Sequence, residues 1–391
     1  MAARVAPMPS IADHLNACTM CGYCVPVCPA YREIGFESAA PRAKVFYMRE
    51  HDRRGFGLID RLLKRETRIT EEFSKNVFEC TACGACESVC MADIPFDGLW
   101  QDVKEWMVGS GLGMKEHLPV LENVKETYNI FGEPHASRSG WIPKDAVQSE
   151  APEVVYWVGC VASYRKQRVA EAVVKILNAA KVRYRILGEN EWCSGAPLAN
   201  MGFGEYVKKV LMPHNIEAVS QTGAKILVTA CAEDLRAFLK DYRRWGGNPP
   251  FSVLHISQYV ERLVKEKRLT FPKPLPNLKA AFHDSCAQGR VCGAYDGPRN
   301  AMKFLRGLTS LEMFPNREEA RCSGAGGGFS LVFPNQAASI GSERLETAVE
   351  LGAQAIITTC PHAEMHFEEI AKRRNMALQT LDIAEVLAMA L

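Results

Sequence analysis

Eight of the 15 cysteines in this 391-residue chain fall before residue 91, in two arrays of one spacing. The first is Cys18-x2-Cys21-x2-Cys24-x3-Cys28 followed by Pro29; the second is Cys80-x2-Cys83-x2-Cys86-x3-Cys90 followed by Met91. A loop that wraps a metal-sulfur cube has little conformational freedom left, so this feature constrains the fold more than any other. Three thiolates of one tight loop grip three irons, while the fourth, at the start of a helix, points to a second cube. The spacing therefore predicts two [4Fe-4S] clusters with crossed ligands: Cys18, Cys21, Cys24 and Cys90 for one, and Cys80, Cys83, Cys86 and Cys28 for the other. Gly22 and Gly84 follow the second cysteine of each array, where a missing side chain lets backbone amides approach sulfide. A zinc site made from two Cys-x2-Cys pairs takes four ligands and strands the other four thiols. Haem attachment is excluded, since no Cys-x-x-Cys here is followed by His.

The cysteine count is odd, which rules out complete internal pairing. The first ten residues lack the apolar core of a signal peptide, and the longest uncharged stretch, Cys322 to Ser342, is rich in Gly and Ser. The expected compartment is cytoplasmic, where thiols stay reduced and hold metal or do redox chemistry. Lys and Arg number 47 against 45 Asp and Glu, a net charge of +2, so no bulk attraction to nucleic acid is encoded.

Between the arrays, Ala43 to Arg54 and Ile59 to Phe78 read as helices, with Val45, Met48, Leu62, Leu63 and Phe73 as apolar positions among many charges. This predicts a helical two-cluster domain over residues 1–110 rather than a small β-rich one. Arg42, Lys44, Arg53 and Arg54 read either as a solvated helix face or as a docking surface for an acidic partner. Turn signals such as Phe131-Gly132-Glu133-Pro134 and Ser139-Gly140-Trp141 mark a linker over 111–150.

The remainder contains an internal duplication. Cys193-Ser194-Gly195-Ala196 recurs as Cys322-Ser323-Gly324-Ala325, and the Gly223 to Cys231 stretch recurs as Gly352 to Cys360, both at an offset of 129 residues. Leu254-His255-Ile256 echoes Leu381-Asp382-Ile383 at 127, and Cys160 and Cys286 lie 126 apart. A period this long means two duplicated domains, at 151–270 and 271–391, rather than a solenoid. Within each, Val- and Ile-rich runs (Val154 to Val158, Tyr184 to Leu187, Ile226 to Thr229; Ala280 to His283, Ala355 to Thr358) alternate with helical patterns. The expected class is thus α+β multidomain: a helical cluster domain followed by two α/β repeats with parallel sheets. Ligands collect beyond the carboxyl ends of such strands. There Cys160, Cys193 and Cys231 of one copy, and Cys286, Cys322 and Cys360 of the other, are expected to converge as metal sites about a pseudo-twofold axis. The run Gly324-Ala325-Gly326-Gly327-Gly328 lacks a P-loop Lys and reads as close backbone approach to a metal site or to the other repeat.

These motifs, with Phe282-His283-Asp284-Ser285-Cys286 and Cys360-Pro361-His362, resemble the cysteine-rich CCG family of iron-sulfur oxidoreductases. It includes heterodisulfide reductase subunits, the small subunit of anaerobic glycerol-3-phosphate dehydrogenase and iron-sulfur subunits of glycolate and lactate oxidases. The resemblance implies an electron-transfer subunit working with other redox subunits, chiefly a flavoprotein dehydrogenase or reductase, and peripheral membrane association through those partners. Alternatives are a catalytic heterodisulfide-type reductase and a quinone-linked scaffold. Disulfide-cleaving members hold a noncubane cluster in each repeat through five cysteines. This chain has Trp192 and Arg321 at one of those positions and Asp234 and Ala363 at another. Three thiols per repeat leave three contents open, namely a smaller or cubane cluster with a non-cysteine ligand, a single iron or zinc, or no metal at all, with Asp234, Glu233, His283, His362 and Cys292 as available further ligands.

Overall fold

The computed structural model describes residues 8–54 and 69–391. The chain forms two compact units, one comprising Met1–Leu118 with Pro197–Glu205 and Gly324–Ile340, the other Pro119–Ala196, Tyr206–Ser323 and Gly341–Leu391.

The first unit is helical: among the described residues no strand precedes Val154. Helices Pro41–Arg54, Glu71–Phe78 and Phe96–Gly109 pack Val45, Met48, Val77, Phe78, Trp100, Val103 and Met107 into one core. The Thr70 hydroxyl caps the second of these, accepting from the Phe73 amide at 3.1 Å. The helix expected over Ile59 to Phe78 is described only from residue 69, so Leu62 and Leu63 lie outside the described residues.

The second unit holds two four-stranded sheets. One contains β1 (Val154–Trp157), β2 (Tyr184–Ile186), β3 (Ile226–Thr229) and β4 (Ser252–His255) in the order β2-β1-β3-β4. The other contains β5 (Leu278–Phe282), β6 (Leu308–Glu312), β7 (Ala355–Thr358) and β8 (Gln379–Asp382) in the order β6-β5-β7-β8. All neighbouring strands run parallel. The two orders correspond position by position, as the duplication requires. The central strands β1, β3, β5 and β7 are nearly all apolar because helices cover both faces. Edge strands β4, β6 and β8 carry Ser, Thr, Glu and Gln, which hides them from a search for apolar runs. One continuous core spans both repeats, joining Tyr156, Val173 and Tyr259 to Phe282, Ile357 and Val386. The segment expected as a linker carries a helix, Leu118–Thr127, and sends Trp141 into that core.

His255 and Asp382 explain the echoed Leu-x-Ile motif: each ends an edge strand and caps the next helix through a capping box, on Ile256–Lys265 and Ile383–Met389 respectively. Inside this unit the buried Lys166 ammonium donates to Glu364 at 2.8 Å and also pairs with Glu368. Burial, and then Glu385, push the Glu364 carboxyl up to about 7. An unfolded Glu titrates at about 4.3, so between there and about 7 the folded chain keeps a proton that the unfolded chain has released. The stabilising contribution of this proton is complete below the unfolded value and is lost as pH rises through the folded one. Relative to Glu364→Gln, the wild type should lose about 2–3 kcal/mol between roughly pH 5 and 8. Anaerobic calorimetry that finds a pH-independent difference would remove this assignment.

Candidate metal and thiol centres

The two arrays take the same backbone path. Residues two and four after the first cysteine both have positive φ: Met20 (59°) and Gly22 (87°), and Ala82 (52°) and Gly84 (71°). Non-glycine residues enter this region at a cost, so its repetition at Met20 and Ala82 marks a loop wound to a required shape. Two cavities lie beside these loops. One is lined by Cys18, Cys21, Cys24 and Cys90, the other by Cys80, Cys83, Cys86 and Cys28. Each thus collects three cysteines of one array and the fourth of the other. Thiol electrostatics agree: Cys28 and Cys86 feel Cys80 and Cys83, and Cys24 feels Cys18 and Cys21. Burial pushes Cys24 and Cys28 up to about 11. Four thiols gathered at one cavity, with Cys24 in one set and Cys28 and Cys86 in the other raised by burial, fit a cluster whose irons compensate their charge. Cys28 caps the helix Pro29–Ile34, as its array anticipates. Cys90 does not start a helix: Met91 stands in place of the Pro that opens the first, and the chain turns through Asp93 (φ 48°) before the next helix.

Cations surround both cavities. Lys44 and Lys104 line the Cys80 cavity and Arg42 the Cys18 cavity. Lys44, expected on a solvated or docking face, is buried and donates to the Glu79 carbonyl at 2.7 Å. A Cβ on Gly22 would lie 2.7 Å from Arg42 Nη1, so the guanidinium rests directly on the first loop. Arg49 donates to the Leu15 carbonyl at 2.5 Å and to that of Cys18. The side chains of Arg53 and Arg54 lie outside the described residues.

The glycine run packs onto the second array. A Cβ on Gly327 would come within 2.7 Å of the Cys80 carbonyl oxygen, and one on Gly328 within 2.7 Å of His117 Nε2. Close backbone approach, rather than phosphate binding, accounts for the run. At the equivalent point of the first repeat, Asn200 lines the Cys80 cavity; its carbonyl accepts from Lys104 at 3.0 Å and its side chain from Gln101 at 3.1 Å.

In the first repeat Cys160 and Cys193 meet. The Cys193 thiol donates to Cys160, whose own thiol is held below the ordinary range by that bond and by Arg138, 4.0 Å away. Arg138 is 2% exposed and pairs at 2.5 Å with Glu191, itself 1% exposed. Glu191 also accepts from the amides of Val158 (2.9 Å) and Gly159 (2.8 Å), fixing the strand end before Cys160. Asp234 is buried beside this pair, and desolvation raises its carboxyl well above the ordinary range. Trp192 is stacked between Tyr128 (4.1 Å between centroids) and His214 (3.4 Å).

Cys231 faces the other repeat. Its thiol donates to Cys360, which is thereby lowered, with the helix Pro361–Arg373 starting at Cys360 favouring a thiolate there. Within the first repeat Cys160 and Cys193 meet, while Cys231 meets Cys360 of the other repeat, the segments after β3 and β7 lying side by side. Cys286 is half-buried at the end of β5 and Cys322 is buried before Gly324. Among the described residues no three His, Cys, Asp or Glu side chains form a group suited to a single metal ion. Of the expected supplementary ligands, His362 is engaged with Glu233 at 3.3 Å, and burial drives His283 down to about 3. Asp284 is bidentate with Arg299 at 2.7 and 2.8 Å. Arg321 pairs with Glu343 at 2.6 Å. No motif in the sequence singles out Arg138, Glu191 or Lys104, and only its echo at Asp382 signals His255.

Gly159 has φ 79° and ψ 161°, and a Cβ there would stand 2.2 Å from Asp234 Oδ2. Gly159→Ala should cost at least about 2 kcal/mol from backbone strain and collision. Arg138→Met, which leaves Glu191 buried without a counter-charge, should cost about 3–5 kcal/mol, with Arg138→Lys recovering part of it. Urea unfolding under anaerobic conditions reads both, and a loss below about 1 kcal/mol for Arg138→Met would show that the pair is not desolvated.

The 4Fe-4S dicluster domain family matches residues 14–94, and the cysteine-rich domain family CCG matches 154–233 and 280–368. A subunit of the dihydromethanophenazine:CoB–CoM heterodisulfide reductase of Methanosarcina barkeri is 32% identical over 96% of this chain and 94% of its own. The EtfAB:quinone oxidoreductase of Syntrophomonas wolfei is 28% identical over 95% of this chain and 58% of its own. A subunit of the fumarate reductase (CoM/CoB) of Methanothermobacter marburgensis is 26% identical over 96% and 72%. With two crossed cysteine sets ahead of two duplicated parallel sheets, and with this similarity along its length, the chain belongs to the CCG-domain iron-sulfur family that includes these heterodisulfide reductase components.

Proposed function

We propose that this chain is the iron-sulfur electron-relay subunit of a multisubunit oxidoreductase. It passes electrons between a flavoprotein dehydrogenase or reductase and a second carrier. The observation that carries the reading is the pair of cavities lined by crossed cysteine sets. Cys18, Cys21, Cys24 and Cys90 hold one [4Fe-4S] cluster, and Cys80, Cys83, Cys86 and Cys28 the other; when bound, the clusters supply one-electron redox centres. The chain's own part is to bury Cys24, Cys28 and Cys86, hold the loops in left-handed turns and place Lys44, Lys104 and Arg42 against the charge that reduction adds. Full-length similarity to redox-complex subunits supports the partner class. A relative named EtfAB:quinone oxidoreductase supports choosing a flavoprotein as that partner. Among the described residues no helix is long and apolar enough to cross a membrane, and the proposed location is cytoplasmic, with membrane association only through partners. Relay is favoured over heterodisulfide cleavage because Trp192, Arg321, Asp234 and Ala363 stand where disulfide-cleaving relatives carry cluster ligands.

Two measurements test the assignment. In anaerobically prepared full-length protein, Cys28→Ser should perturb the same electron paramagnetic resonance signal as Cys80→Ser, and Cys90→Ser the same signal as Cys18→Ser. Uncrossed pairing of these effects would refute the ligand sets. Lys104→Met, which removes a buried cation beside Cys80, should lower the reduction potential of that cluster and leave the other unchanged. A shift of both, or an upward shift, counts against the role given to the lysine.

A further inference from the structure

Relay through the N-terminal cysteine sets leaves the sulfur pair between the repeats unexplained. Cys231 and Cys360 lie two residues beyond the ends of β3 and β7, and the Cys231 thiol donates to Cys360. Three matched contacts clamp the two strand ends together. Immediately before the cysteines, the fully buried His255 bridges both chains, with Nε2 3.0 Å from the Ala230 carbonyl and 3.1 Å from that of Thr359. The cysteines themselves follow. Two residues further on, Glu233 Oε2 meets His362 Nδ1 at 3.3 Å. His255 Nδ1 accepts from the Ser257 amide at 3.2 Å, which leaves Nε2 as the protonated nitrogen able to donate to both carbonyls. The sulfurs are thus held in mutual contact by a structure that spans the pseudo-twofold axis. Asp234 and Ala363, one helical turn on, supply no further thiol, and the described side chains around the pair are not grouped to hold a single metal ion.

We propose that Cys231 and Cys360 form a reversible disulfide across the pseudo-twofold axis, a two-electron redox site that ties the repeats together when oxidised. The oxidant class is a low-molecular-weight disulfide. The Cys360 thiolate, at the start of a 13-residue helix, attacks one sulfur of that disulfide and expels one thiolate, leaving a mixed disulfide on Cys360. Cys231 loses its proton and attacks the Cys360 sulfur, expelling the second thiolate. One external S–S bond breaks and the Cys231–Cys360 bond forms. The two electrons pass to the external pair, which takes up the two protons released. At 7% and 3% exposure the sulfurs exchange slowly, over minutes to hours. The inference does not depend on which cysteines hold the N-terminal clusters.

The test uses the full-length, cluster-containing protein, equilibrated anaerobically in buffers of graded oxidised-to-reduced glutathione. Free thiols are then blocked with N-ethylmaleimide, and peptides are mapped by mass spectrometry. The expected result is a linked peptide pair joining Cys231 to Cys360 that rises through one transition and disappears on treatment with excess dithiothreitol. Cys231→Ser and Cys360→Ser should each abolish it while leaving the N-terminal cluster signals in place. Mapping of the wild type decides the matter even where a variant fails to fold. Maleimide on both cysteines at every ratio, linkage of Cys231 to Cys193 instead, or iron or zinc lost specifically on Cys231→Ser would each overturn the proposal. Loss of the N-terminal cluster signals with the linked peptide retained would instead strike the relay reading alone.

Discussion

Everything in the first unit depends on one cysteine from each array standing at the other array's cavity. Cys28 lies among Cys80, Cys83 and Cys86, and Cys90 among Cys18, Cys21 and Cys24. Such an exchange binds two segments some sixty residues apart into one body, and the helices around it can then be short and heavily charged. Their charges are not spare. Lys44, Lys104, Arg42 and Arg49 turn inward to backbone carbonyls and cavity walls, where the negative charge of gathered thiolates offsets the cost of burying a cation.

The second unit solves a different problem. Two small parallel sheets share one apolar core, and buried ion pairs and ring stacks secure the segments that follow their strands. Arg138 with Glu191 secures the turn before Cys160, and Arg299 with Asp284 holds the equivalent turn before Cys286. The Tyr128–Trp192–His214 stack packs aromatic surface directly before Cys193.

The glycine-rich run connects these themes. Its positive φ values at Gly327 and Gly328 belong to backbone pressed against Cys80, Thr81 and His117, within the first unit. A run that on composition alone resembles a nucleotide loop is thus a packing element of the cluster-bearing domain. Pro197–Glu205 joins the same unit from the corresponding place in the first repeat, so the duplication extends to this excursion as well.

The cysteine spacing by itself pointed to the crossed lining of the two cavities, because a cubane accepts few loop geometries, and the 129-residue offset determined the paired sheets, because duplicated motifs fold alike. Central strands such as Ile226–Thr229 and Ala355–Thr358 were legible to the residue since burial on both faces demands unbroken apolar runs. Edge strands β4, β6 and β8 were not, because one solvated side admits Ser, Thr and Gln. Only the tertiary structure decided that Cys231 turns to Cys360 rather than to Cys160 and Cys193, and that Arg138 and His255 act as clamps. Those outcomes depend on which strand ends oppose one another across the pseudo-twofold axis, a relation between segments more than a hundred residues apart that no local spacing encodes.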